Sequence, residues 1–251
     1  MRILIPIFIA LIASQPAQAT PPQVVSVDET LEAIGGGYLF VLRTLTDNMA
    51  SHNRQQTDVV LIARGINTNQ DIYFWPISRT LDNGAEHVET SDNPRLVTLP
   101  LEWDYHTGRI IHTHHGRHPN ERKATEESGV ELLRNHDGFL ISIKTPHFAY
   151  ETPADTPERT SYWLSYAKIR QLFSYSLHNT RSELKPYHIE SLDPLTGLDF
   201  EPEQDCKFSY FAELSEQTDG PQQAFWAAYV TCESKQTMAP VSMFITLQPL
   251  P

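Results

Sequence analysis

The order of apolar and polar side chains points to strands more often than to helices. Tyr38 to Leu45 reads as a strand. Val59 to Ala63 is almost continuously apolar, as a central strand requires. Ile72 to Ile77 follows the loop Asn67-Thr68-Asn69. Pro76 near its end predicts an edge position, because proline has no N–H for the ladder. Arg95 to Trp103 alternates loosely, and Arg109 to His115 and Phe139 to Ile143 complete the strands of the first half. Asn83-Gly84 and Asp137-Gly138 are hairpin dipeptides, suited to the left-handed backbone of tight turns.

Two stretches carry helical spacing. Asp28 to Ile34 predicts a short helix, capped by Ser26 or Asp28 and stopped by Gly35-Gly36-Gly37. The glycines lack the G-K-[ST] ending of a phosphate loop, so they read as a helix stop or a turn. From Ser161 to His178, Tyr162, Tyr166, Ile169, Phe173 and Leu177 recur at three- and four-residue steps. This predicts one substantial helix near 161–178 with its aromatic stripe on a core. Glu151 to Thr160, with Pro153 and Pro157, reads as a linker or long loop before it.

The C-terminal part contains the only two cysteines, Cys206 and Cys232. Between them lies the turn signal Thr218-Asp219-Gly220-Pro221, nearly equidistant from both. Folding there sets Lys207 to Leu214 against Ala224 to Thr231 and brings the cysteines opposite each other. A cross-strand disulfide follows, and the separation is too wide for a C-x-x-C redox centre. Val241 to Leu247 adds a last strand. The expected fold is therefore α+β and mainly antiparallel β, with one substantial helix near 161–178 and a disulfide-stapled C-terminal β-meander. Asp-x-x-Thr-Gly occurs at Asp104 to Gly108 and again at Asp193 to Gly197, and both copies read as turns.

The N-terminus has a different character. Met1-Arg2 precedes the apolar run Ile3 to Ala13, and Ala17-Gln18-Ala19 supplies small residues at both outer positions of a cleavage triplet. That order predicts a signal peptide at 1–19, and the run is too short for a membrane span. Removing those 19 residues from 251 leaves 232, expected to form one exported globular domain at 20–251, periplasmic or secreted, with 151–160 as a point of subdivision. No later run is long enough to span a membrane. Loss of Arg2 takes the formal charge from −12 to −13. Such a chain is repelled by nucleic acid and by anionic lipid.

Candidate chemistry concentrates at His106 to His118, which holds His106, His112, His114, His115 and His118. On a strand, His112 and His114 share one face, and two imidazoles at this spacing can ligate zinc or another transition metal. His106 and His118 are candidates for the remaining ligand. Arg109, Arg117, Arg122 and Lys123 surround them, so a basic surface or an anion-binding patch fits the same residues. His112 and His114 match the start of the H-x-H-x-D-H motif of metallo-β-lactamase-like hydrolases. Gly116 and Arg117 occupy the places of its Asp and third His, so that family is not carried over. H-E-x-x-H and G-x-S-x-G are absent. Ser182 to Lys185 spells S-x-x-K and Ser91 to Asn93 spells S-D-N, but their order is reversed and no K-T-G follows. Asp199, Glu201, Glu203 and Asp205 alternate without the glycine of an EF-hand loop. No catalytic residue is assigned. The expectation is an exported binding or accessory protein for a protein or small-molecule ligand; the rival is a metal-binding protein or metal-dependent enzyme.

Overall fold

The computed structural model describes residues 24–48, 55–81, 84–87, 101–104, 109–113, 116–117, 122–126, 129–144, 158–174, 201–216, 223–233 and 239–250. The strands are β1 (Val25–Gly35), β2 (Tyr38–Asp47), β3 (Gln56–Gly65), β4 (Asp71–Leu81), β5 (Gly84–His87), β6 (Leu101–Asp104), β7 (Arg109–Thr113) and β8 (Gly116–Arg117). They continue with β9 (Arg122–Ala124), β10 (Glu131–Arg134), β11 (Gly138–Lys144) and β12 (Arg159–Ser165). Among the described residues two helices, α1 over 166–174 and the single turn α2 (Pro202–Asp205), precede β13 (Cys206–Glu216), β14 (Gln223–Glu233) and β15 (Pro240–Thr246). The chain is mostly antiparallel β, as its patterning predicts.

The large sheet runs β5-β4-β3-β2-β1-β15-β14-β13-β9, with β8 also on β1. Among the described strands only β1 and β15 pair in parallel, through Val27 and Val241. Towards its far end β1 takes β8 instead, with Ile34 opposite Arg117 and Gly35 opposite Gly116. β15 and β8 thus divide one edge of β1, while β2 runs along the other. A second sheet, β10-β11-β12, is built on the predicted Asp137-Gly138 turn, closed by Asn135 N–H donating to the Gly138 carbonyl at 2.9 Å. β6 and β7 form a separate pair.

The helix expected over Asp28–Ile34 is instead the second half of β1. Gly36 (φ 61°) and Gly37 (φ 82°) make the two-residue turn into β2, a backbone that favours glycine. A bulge between Leu31 and Ala33 shifts the strand's phase. Leu31 and Ile34 therefore reach the same core at a three-residue step, which imitates a helical repeat. The helix near 161–178 is also shorter than its stripe. Residues 159–165 are β12, whose Tyr162 and Leu164 point inward at a two-residue step. Ser165 Oγ then accepts from Lys168 N–H at 3.1 Å and caps α1. Only Tyr166, Ile169 and Phe173 of the predicted stripe lie on the described helix. Pro76 stands beside a bulge in β4, on the stretch that β5 does not reach.

The described residues form three apolar clusters. The first joins Val25, Val27 and Leu45 to Phe139, Ile141, Ile143, Phe173 and one face of β13–β15. The second joins Ile34, Leu39, Val41, Val60, Ile62 and Phe74 to Ala212, Leu214, Ala227 and Phe244, on the other face of those strands. β13–β15 are thus buried on both sides. Each large side chain sealed in this way contributes roughly 1.5–3 kcal/mol. The third cluster, on the opposite face of β1–β4, holds Phe40, Leu61 and Trp75. Cys206 and Cys232 are direct cross-strand partners and form the predicted disulfide inside the first cluster.

Candidate functional site

The inner face of β1–β4 carries charge where its pattern calls for apolar residues. Glu29 stands opposite Arg43, and Arg64 opposite Asp71, on four successive strands. All four are buried. The Arg43 guanidinium donates to Glu29 and, at 3.1 Å, to Asp71. The Arg64 guanidinium donates to Asp71 Oδ1 at 2.6 Å and to both Glu29 oxygens at 2.7 and 2.9 Å. Two cations face two anions, so the cluster is formally neutral. Burial drives the Glu29 carboxyl up, but Arg64 and Arg43 outweigh it against a smaller push from Asp71, and the net shift is downward. For Arg64, burial acts downward, and Asp71 and Glu29 more than reverse it.

The cluster also holds β15. Phe244 N–H donates to Glu29 Oε2 at 2.9 Å, and its carbonyl accepts from Arg64 Nη1 at 2.5 Å. Where β15 has left β1, side chains take the place of a neighbouring strand. Every one of these contacts is internal, so the group clamps the fold. Nearby, Asp58 accepts from Arg79 at 2.6 Å and from Gln56 at 2.7 Å.

The outer face of the second sheet offers contact to solvent. Leu133, Leu140 and Trp163 lie opposite one another across β10, β11 and β12. Leu133 is 61% and Trp163 37% exposed. The C-terminal residues extend this face. Pro249 bridges to Tyr162, and Leu250 N–H donates to the Ser161 carbonyl at 3.0 Å, leaving Leu250 47% exposed. Three of the four exposed large apolar side chains among the described residues therefore share one face. Lys144 and Arg159 are paired at its other end. Arg159 donates to the Ser142 and Gly129 carbonyls at 2.6 and 3.0 Å and lies 3.6 Å from Glu131.

Of the histidine cluster, only His112 falls on a described element. It lies in β7 with Glu102 of β6 as its register partner. His106, His114, His115 and His118 lie outside the described residues, as do the S-x-x-K and S-D-N stretches and Asp199. Glu203 and Asp205 fall in α2, directly before β13. Among the described residues no group of three His, Cys, Asp or Glu side chains is placed to hold a metal ion. No described helix is long and apolar enough to cross a membrane.

The buried charges were not singled out from the sequence, although it carries a signal for them. Val27-x-Glu29-x-Leu31, Val41-x-Arg43-x-Leu45 and Ile62-x-Arg64 each set a charge at an inward step of an apolar strand. Comparison with protein-family models, curated proteins and solved structures finds no match.

Proposed function

We propose that the mature chain is an exported binding or accessory protein, periplasmic or secreted, that works by docking a partner protein. The carrying observation is the row Leu133–Leu140–Trp163, with Leu250 beside it, open to solvent on one face. Contiguous exposed apolar patches are characteristic of interaction surfaces, and an exposed tryptophan is a common anchor of such contacts. The adjacent Lys144 and Arg159 stand out on a chain with 31 acidic and 19 basic residues. They favour a partner whose apolar patch is rimmed by carboxylates.

A photo-crosslinking residue placed at Leu133 or at Trp163 in the exporting cell tests this. The expected result is one shared protein adduct from both positions, absent from position Glu203 on α2 and lost when Lys144 and Arg159 are both changed to Glu. Well-folded protein giving no discrete adduct overturns the proposal. So does turnover of a hydrolase-panel substrate that a single point mutation abolishes.

A second reading, a metal-binding protein or metal-dependent enzyme, draws support from the register of Glu102 against His112. Carboxylate and imidazole together suit zinc or another transition metal. Elemental analysis of untagged protein decides it. Stoichiometric metal lost in His112→Ala and His114→Ala supports the reading, and its absence after metal-replete growth sinks it.

A further inference from the structure

The sheet β10-β11-β12 has one closed edge and one open edge. Beyond β12, Leu250 N–H donates to the Ser161 carbonyl at 3.0 Å, so the C-terminal residues occupy that side. Beyond β10, no strand pairs among the described residues. Glu131, Leu133 and Arg134 are exposed there, and Leu132 is half-buried. Arg134 leans back from the edge, with its guanidinium 5.4 Å from the centre of the Phe139 ring on its own sheet.

The turn fixes the hydrogen-bond phase of β10. Asn135 N–H donates to the Gly138 carbonyl at 2.9 Å. Antiparallel pairs alternate between bonded and unbonded, so Leu133–Leu140 and Glu131–Ser142 carry the ladder to β11. The backbone N–H and C=O groups of Leu132 and Arg134 therefore point to the open edge. Val130 N–H, the preceding group of that series, is already used, donating to the Thr125 carbonyl at 3.2 Å.

We infer that β10 pairs with β10 of a second copy of this chain, antiparallel about a two-fold axis through Leu133. This register sets Leu132 opposite Arg134 of the second copy and Arg134 opposite its Leu132. Each open N–H and C=O then has a partner. A shift of the axis by one residue spoils this. One way it brings up Val130, whose N–H is taken, and the other way it brings up His136 of the exposed turn. Leu133 meets Leu133 of the second copy as an unbonded pair, the kind in which side chains come closest. The outer row Trp163–Leu140–Leu133 thus meets its own image, and Leu133, 61% exposed in one copy, is covered. Glu131 comes opposite Asn135 of the second copy rather than a like charge. An unpaired edge is a template for another chain, and self-complementarity is what a two-fold contact requires. A pairing this short buries less than the standard interface of about 1,600 Å², so association is weak and concentration-dependent. The second copy takes the edge, whereas the partner proposed above covers the outer face, so the inference does not rest on that reading.

The test follows sedimentation of the purified, oxidised chain at physiological salt, where exposed charges more than about 8 Å apart are screened. A monomer–dimer equilibrium is expected, with a dissociation constant between about 10 µM and about 1 mM. Arg134→Pro removes an edge N–H outside the β11 ladder and should weaken association roughly tenfold or more. Leu133→Asp sets two carboxylates face to face and should do the same. Leu133→Cys should form a disulfide between copies on mild oxidation. Glu131→Cys, exposed on the same face of the same strand, should not, because its counterpart lies far along the pair. A chain still monomeric at about 1 mM, a dimer that either substitution leaves unmoved, or a Leu133→Cys chain that cross-links no faster than Glu131→Cys overturns the inference. If Arg134→Pro does not fold, Leu133→Asp and the two cysteine variants decide by the same criteria. The partner is absent from the purified chain, so either reading can fail while the other stands.

Discussion

The carboxamide of Asn69 pairs with the backbone of Thr246 as a neighbouring strand would. Its Nδ2 donates to the Thr246 carbonyl at 2.9 Å, and its Oδ1 accepts the Thr246 N–H at 2.7 Å. The Thr246 hydroxyl donates to the same Oδ1 at 2.7 Å. Asn69 holds a left-handed backbone, φ 57°, which asparagine tolerates better than most residues. With the Glu29 and Arg64 contacts to Phe244, it completes the edge of β15 that β1 abandons.

Asn69→Ala should therefore destabilise the fold on the order of 3 kcal/mol, by orphaning a buried N–H and C=O and straining the backbone. Asn69→Gly removes the strain and should recover roughly 1 kcal/mol of that loss. Urea unfolding of both variants measures the split. A glycine variant as stable as wild type would show that the edge contacts contribute nothing.

The buried charges make stability acid-sensitive in a definite direction. The Glu29 pKa in the folded chain lies below its ordinary 4.5. Its contribution is thus complete above the unfolded value and is lost as pH falls through the folded one. Urea midpoints should hold steady from neutral pH down to about 5 and then decline. Glu29→Gln leaves two guanidiniums facing one carboxylate. It should cost about 3–5 kcal/mol at neutral pH and flatten the decline below pH 5. An unchanged acid limb in that variant would assign the pH dependence to other carboxylates.

The disulfide closes a loop with a sequence separation of 26. Replacing both Cys206 and Cys232 by Ala should lower unfolding free energy by about 3 kcal/mol. Denaturant titration of the variant beside the oxidised wild type gives the value. Loss well beyond this would locate extra stabilisation in the packing of the sulfurs against the first core cluster.

Gly138 sits where β11 leaves its turn, and a Cβ there would stand 2.6 Å from the Leu164 carbonyl oxygen and 2.7 Å from Ser165 Cα. Both are backbone atoms and cannot rotate aside. Gly138→Ala should cost about 1–3 kcal/mol by prising β12 from β11. Thermal melting reports the cost, and amide exchange should show it concentrated at 159–165. A melt identical to wild type would mean the two strands separate freely.

Much of the fold was legible because it is local. Val59 to Ala63, the Asp137-Gly138 turn and the two cysteines around one turn each act through neighbours along the chain, or through a hairpin that fixes its own register. The misreadings fell where two periods meet: a bulge gave β1 a three-residue step, and the β12–α1 junction let Tyr162 and Tyr166 imitate one stripe. The sites were less legible. Glu29 is ordinary until Arg43, Arg64 and Phe244, as far as 215 residues away, surround it. The sequence by itself determined the mainly antiparallel β character, strands such as Val59 to Ala63, the Asp137-Gly138 turn and the staple, since alternation and backbone preference act residue by residue. The departure of β15 from β1, the side chains that complete its edge, and the face left open at Leu133 and Trp163 came from tertiary structure. Burial and hydrogen-bond partnership belong to surfaces that exist only once distant strands have met.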